Sequence, residues 1–181
     1  MLRLYGMMMA VMEAEAGAGR GSDLAALHLR YYSSLVRLAS VLIDDVGTCE
    51  ELVQDAFVAA LGRDHPWRDE AKAPAYLRSA VLNGARTHLR RRVVRRRPQA
   101  VQVVHGDRSP EAEALERDEH QVVLDALRSL PERQREVLAL RYYLELSEAE
   151  IAETLGIAAG TVKTHAHRGL TALHASLEYQ R

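Results

Sequence analysis

Cysteine is almost missing from this chain: Cys49 is the single one in 181 residues. A disulfide framework and a sulfur-ligated zinc cluster both need several thiolates at short spacing, so both are excluded, and a reducing, cytoplasmic compartment is expected. Aromatic residues make up only 5% of the chain. No stretch approaches the roughly 18 uninterrupted apolar residues of a membrane-spanning helix, so no membrane insertion is expected. Glycine-rich phosphate loops of the Walker or dinucleotide-binding pattern are absent, and with them the commonest nucleotide chemistry. Charge of one sign is lacking too, with 24 Lys and Arg against 25 Asp and Glu. What remains is ordinary globular composition, 48% apolar and 27% charged, in a length that suits one domain or two small ones.

The near-zero net charge hides its distribution. Arginine supplies 22 of the 24 basic residues, and seven of these fall between 86 and 97. Residues 1–22, rich in methionine at Met7, Met8, Met9 and Met12, lack the apolar core and cleavage site of a signal peptide and are expected to form a disordered leader. Beyond them Leu24, Leu27, Tyr31, Leu35, Leu38 and Leu42 recur at steps of three and four and predict an amphipathic helix. Thr48 with Glu51 reads as the capping box of a second helix, with Val53, Ala56 and Phe57 inward and Glu50, Glu51, Gln54 and Asp55 outward. Residues 63–73 read as a loop, and Pro74 suits the first turn of a third helix that carries Leu77, Val81, Leu82, Ala85 and Leu89 into the arginine run.

Residues 98–118 hold five acids, two arginines, Pro98, Gly106 and Pro110, and predict an acidic linker. Helical pattern resumes at Val122 and runs through Leu130. Ser129 with Glu132 is expected to cap the next helix, which holds Val137, Leu138 and Tyr142. Ser147 with Glu150 caps a short one, Gly156 turns the chain, and a last helix follows with Val162, Ala166, Leu170, Leu173 and Leu177 inward. The expected fold class is all-α, two small helical domains joined by the acidic linker: leader 1–22, first domain 23–97, linker 98–118 and second domain 119–178.

The short capped helix, glycine turn and longer helix after Ser147 have the layout of a helix-turn-helix, whose second helix enters the major groove. Projection at about 100° per residue turns Thr161, Thr164, His167, Arg168 and Thr171 outward, with Lys163 and His165 on the flanks. A helical hairpin packed for stability alone is the plain alternative. Seven arginines in twelve residues exceed what capping a helix end requires, and guanidinium groups suit phosphate, so nucleic-acid backbone is the expected target. The acids of the second helix would repel phosphate; they fit a protein partner with a basic surface, or simply a solvated face. No catalytic, metal or cofactor site is expected. His165 and His167 point about 200° apart on a helix, and Cys49 has no histidine placed beside it.

Residues 44–61 (DDVGTCEELVQDAFVAAL), 75–92 (AYLRSAVLNGARTHLRRR) and the ordered signatures Leu-Pro-x-Arg-Gln-Arg, Ser-x-x-Glu-Ile-Ala and Gly-Thr-Val-Lys within 127–170 resemble a family. This is the sigma-70-type RNA polymerase sigma factors, in the extracytoplasmic function group that keeps only sigma domains 2 and 4, with actinobacterial-like wording. The resemblance implies that Glu50, Glu51, Leu52, Gln54 and Asp55 meet the beta-prime clamp of core RNA polymerase. It implies that Trp67, Tyr76, Asn83, Arg86, His88, Arg90 and Arg91 approach the minus-10 element of promoter DNA. Thr161, Lys163, Thr164, His165 and Arg168 would dock at the minus-35 element, with the second domain seated on the beta flap. It also implies a partner anti-sigma factor. Tyr76 takes a place where tryptophan is common, and Thr164 and His165 replace Ser and Arg, which weakens the expected grip on phosphate. The rival reading is a stand-alone helix-turn-helix regulator, which would favour a dimer on a palindromic site.

Overall fold

A computed structural model describes residues 20–60, 72–95 and 112–179. Most of the expected leader, most of the loop with Trp67, and residues 98–111 of the linker therefore lie outside the described residues. Every regular element among the described residues is helical, as the sequence predicts.

The first module holds α1 (Arg20–Leu42), α2 (Val46–Ala60) and α3 (Ala73–Arg95), each packed on the other two. Leu35 and Leu38 of α1, Phe57 of α2, and Leu77 and Leu82 of α3 are fully buried. Removing a side chain of this kind costs about 2–5 kcal/mol, which is why the three apolar stripes fix the bundle. The corner between α1 and α2 departs from expectation: the cap is Asp45, not Thr48. Asp45 Oδ2 accepts from the Thr48 amide at 2.7 Å and from its hydroxyl at 2.6 Å. A carboxylate three residues upstream reaches the open amide first, so the helix begins a turn earlier than the Thr48–Glu51 pair suggests. Hydrogen bonds from Thr48 hold the Asp45 carboxyl below its usual range. α3 approaches α2 closely at Gly84, where an added Cβ would stand 2.8 Å from Leu52 Cδ2.

The second module holds α4 (Ala112–Ser129), α5 (Glu132–Leu138) running into a π-helical turn (Ala139–Tyr143), α6 (Glu148–Leu155) and α7 (Ala159–Tyr179). α4 starts inside the stretch expected to be linker, and α1 starts before residue 23. Ala, Glu and Leu at 112–116 favour helix by intrinsic propensity even where apolar periodicity is missing. Ser129 does not cap α5, because its hydroxyl donates to the Ala126 carbonyl at 2.7 Å and Pro131 itself takes the cap position. The capping box at Ser147 and Glu150 is formed, with both reciprocal bonds present. Gly156 adopts φ 63°, and the amides of Gly156 and Ile157 return to the carbonyls of Glu153 and Ala152, a left-handed helix stop that favours glycine.

Leu170, expected inward, faces out, and so does Tyr142, expected on the helix after Ser129. Leu170 is 41% exposed because it lies about 80° around α7 from Val162, whereas Gly169, near the middle of the stripe, packs on Leu138. Tyr142 is 55% exposed, since the π-helical turn inserts an extra residue and rotates it off the α5 stripe. The two modules also touch. α3 packs against α6, and α1 packs against α4 and the π-helical turn, so buried side chains form one continuous core across both.

Candidate polymerase and promoter surfaces

The acidic face of α2 is narrower than the sequence predicts. Glu51 and Asp55 are exposed and form no ion pair among the described residues, while Glu50 and Gln54 are half-buried. Gln54 hydrogen-bonds Tyr32, whose hydroxyl is pushed above its usual pKa by burial and then by the nearby Glu50. Leu52 is half-buried against Gly84. Between α2 and α3 runs an open groove of about 710 Å³, with Glu51 and Asp55 on one wall and Asn83, His88 and Arg91 on the other. Cys49, one turn below the groove, is buried and bonded to the Ile43 carbonyl, and burial pushes its thiol up to about 11. That thiol is inert at neutral pH, in keeping with a structural role.

The arginine-rich helix is less uniform than its sequence. Arg90 and Arg91 are exposed and carry no ion pair. Arg92 is committed to Asp44 through bonds of 2.7 and 3.3 Å, which tie the α1–α2 corner to the far end of α3 and hold the Asp44 carboxyl below its usual range. His88 and Tyr76 are half-buried, and Asn83 is exposed, its carbonyl accepting from Arg86 at 2.7 Å. Arg86 reaches out of its module altogether. Its Nε and Nη2 lie 2.6 and 2.8 Å from the two carboxylate oxygens of Glu136 on α5. Trp67 lies outside the described residues.

On α7, Thr161, Lys163, Thr164, His167, Arg168 and Thr171 are all exposed, and Arg168 makes no ion pair. Thr164 and Thr171 spend their hydroxyl protons on the carbonyls of Gly160 and His167, both at 3.0 Å, leaving oxygen lone pairs outward. His165 is half-buried with its Nδ1 enclosed and unbonded. Glu148 at the start of α6 accepts from Arg141 at 3.3 Å and stands 3.6 Å from Lys163, bridging the π-helical turn to the recognition helix. Sequence reasoning missed Glu136 and Arg128. Glu136 lies one turn before buried Leu140, and a carboxylate on an apolar stripe signals a hidden partner, but nothing in the chain points to a residue fifty positions upstream.

A helix-turn-helix joined to a second helical module with one acid-faced and one arginine-rich helix defines a two-module DNA-binding transcription factor. The family comparisons narrow this class. "Sigma-70 region 2" matches residues 27–95 and "Sigma-70, region 4" matches residues 120–173. An RNA polymerase sigma-E factor of Streptomyces avermitilis is 34% identical over 146 residues, covering 80% of this chain and 79% of the relative. The ECF RNA polymerase sigma factor SigL of Mycobacterium tuberculosis is 30% identical over 168 residues, covering 90% and 93%. The chain belongs to the sigma-70 family of RNA polymerase sigma factors, in its extracytoplasmic function group. Among solved structures it is similar to CnrH in complex with the cytosolic domain of CnrY, with 25% identity, TM-score 0.63 and coverage of 96% of this chain and 98% of that one. It shares its fold with the sigma factor RpoE of Bartonella quintana, solved with the anti-sigma factor NepR, at 22% identity, TM-score 0.62 and coverage of 88% and 99%. No helix among the described residues is long and apolar enough to cross a membrane.

Proposed function

We propose that the protein is an alternative sigma factor that binds core RNA polymerase in the cytoplasm, brings it to promoters and helps open the duplex. The carrying observation is the ordered pair of sigma regions 2 and 4, each with the surface its task requires. Glu50, Glu51, Leu52, Gln54 and Asp55 meet the basic clamp of polymerase, where two exposed, unpaired carboxylates favour fast encounter and correct register. Tyr76, Asn83, Arg86, His88, Arg90 and Arg91, with Trp67, take the minus-10 element. Thr161, Lys163, Thr164, His165 and Arg168 enter the major groove at minus-35, a reading supported by the exposure of all of them but the half-buried His165 on α7. The protein performs no covalent chemistry of its own; polymerase supplies it. An anti-sigma factor is the expected regulator, as in the complex solved for RpoE with NepR.

Charge reversal at Glu51 and Asp55 tests the polymerase surface. Both residues are exposed and unpaired, so Glu51→Lys with Asp55→Lys leaves the fold intact while core polymerase affinity drops at least tenfold, about 1.4 kcal/mol. Unchanged affinity in the folded double variant would assign the acid face to solvent.

A further inference from the structure

The contact between α3 and the second module adds charge to the shared apolar core. Arg86 forms a two-pronged ion pair with Glu136 at 2.6 and 2.8 Å, and Glu132 approaches the same guanidinium at 3.2 Å. The Glu136 side chain is only 2% exposed and that of Arg86 16%. Two further arginines cross the same boundary. Arg78 Nε donates to Thr154 Oγ1 on α6 at 3.3 Å, and Arg128 Nη2 on α4 donates to the Ser40 carbonyl in the last turn of α1 at 2.7 Å and to the Ile43 carbonyl just beyond it at 3.3 Å.

We propose that Arg86 and Glu136 form a latch that keeps the free chain closed, with the carboxylates of α5 occupying the guanidinium of α3 that promoter DNA would meet. The carboxylates of Glu132 and Glu136 stand where phosphate oxygens would stand, and one guanidinium fork satisfies either a carboxylate or a phosphate, not both. Arg86 lies one turn from exposed Arg90 and beside Asn83, so the latch takes the middle of the same face that the minus-10 assignment needs. The charged groups in this contact regain water on separation, which lowers the cost of breaking them, while the apolar part of the contact holds the closed form compact. Exposed Arg90 and Arg91 remain available for first contact with nucleic acid while the latch is shut.

The latch lowers apparent DNA affinity by the fraction of chains that are open, so a chain about one-tenth open binds ~10-fold more weakly than an unlatched one. The test is small-angle scattering of the full chain, paired with binding of a fluorescent oligo-dT strand at low salt. Expected are a compact wild type, a Glu136→Gln variant of unchanged helical signal with a larger radius of gyration, and at least fivefold tighter oligo-dT binding, in line with release of a closed population. The swapped pair Arg86→Glu with Glu136→Arg closes the latch again and returns the radius to the wild-type value, without the gain in oligo-dT binding that Glu136→Gln shows. Arg128→Met, which spares the ion pair, gives an intermediate radius, and it stands in should Glu136→Gln fail to fold. An extended wild type, or a folded variant with the wild-type radius, would overturn the latch. The DNA arm rests on the minus-10 assignment while the radius does not, so an opened chain with unchanged oligo-dT binding would sink that assignment and leave the latch standing.

Discussion

His28 of α1 sits half-buried with its ring 4.7 Å from that of Tyr32 and 4.9 Å from that of Phe57. Burial lowers its pKa below the ordinary 6.5, so the folded chain prefers the neutral imidazole. In the unfolded chain the imidazole takes up a proton more readily, and stability is therefore full above the unfolded value and lost as pH falls through the folded one. Urea midpoints of the wild type are expected to fall more steeply than those of His28→Leu between roughly pH 7 and pH 5. Parallel profiles would show that the ring cluster tolerates the charge. Asp44 and Asp45 work in the same sense further down the scale, since their lowered carboxyls lend stability that disappears only in acid.

At the scale of elements, most of the fold is legible in the sequence, and for a physical reason. The stripe from Leu27 to Leu42, the Ser147–Glu150 box and the Gly156 stop are local signals whose energetics are decided within a few residues, and the structure keeps all three. The misread features were decided by competition or by distance. Asp45 outcompetes Thr48 for the same amide, Pro131 displaces Ser129 from the cap, and a π-helical turn rotates Tyr142 away from the stripe. The exposure of the α7 residues was legible from periodicity alone, as was the exposed acid pair on α2. Arg86 was not, because its commitment depends on Glu136 in another module. The recognition helix carries its own prediction. Arg168 is exposed and unpaired, so Arg168→Ala leaves stability nearly unchanged and weakens minus-35 binding by about 1–3 kcal/mol. A loss confined to particular base pairs at one position marks base readout, and a uniform loss across sequences marks a phosphate contact; no loss at all would remove Arg168 from the interface.

At the scale of the whole molecule, two surfaces of opposite charge within the first module explain why net charge is nearly zero in a protein that handles DNA. The acids of α2 and the basic run of α3 are kept on opposite walls of one groove, close enough to share a bundle and separate enough to address different partners. The contact between modules adds a second level, because the carboxylates that close the chain come from α5, outside both recognition surfaces. The most direct measurement is to mix the purified full chain with sigma-free core RNA polymerase and to look for co-elution and for transcripts that core alone does not start. A sigma factor co-elutes and yields new, defined start sites. A folded, partner-free chain that neither co-elutes nor starts transcripts with core enzyme of its own source, and instead binds a palindrome as a dimer, would contradict the sigma assignment and establish a stand-alone regulator in its place.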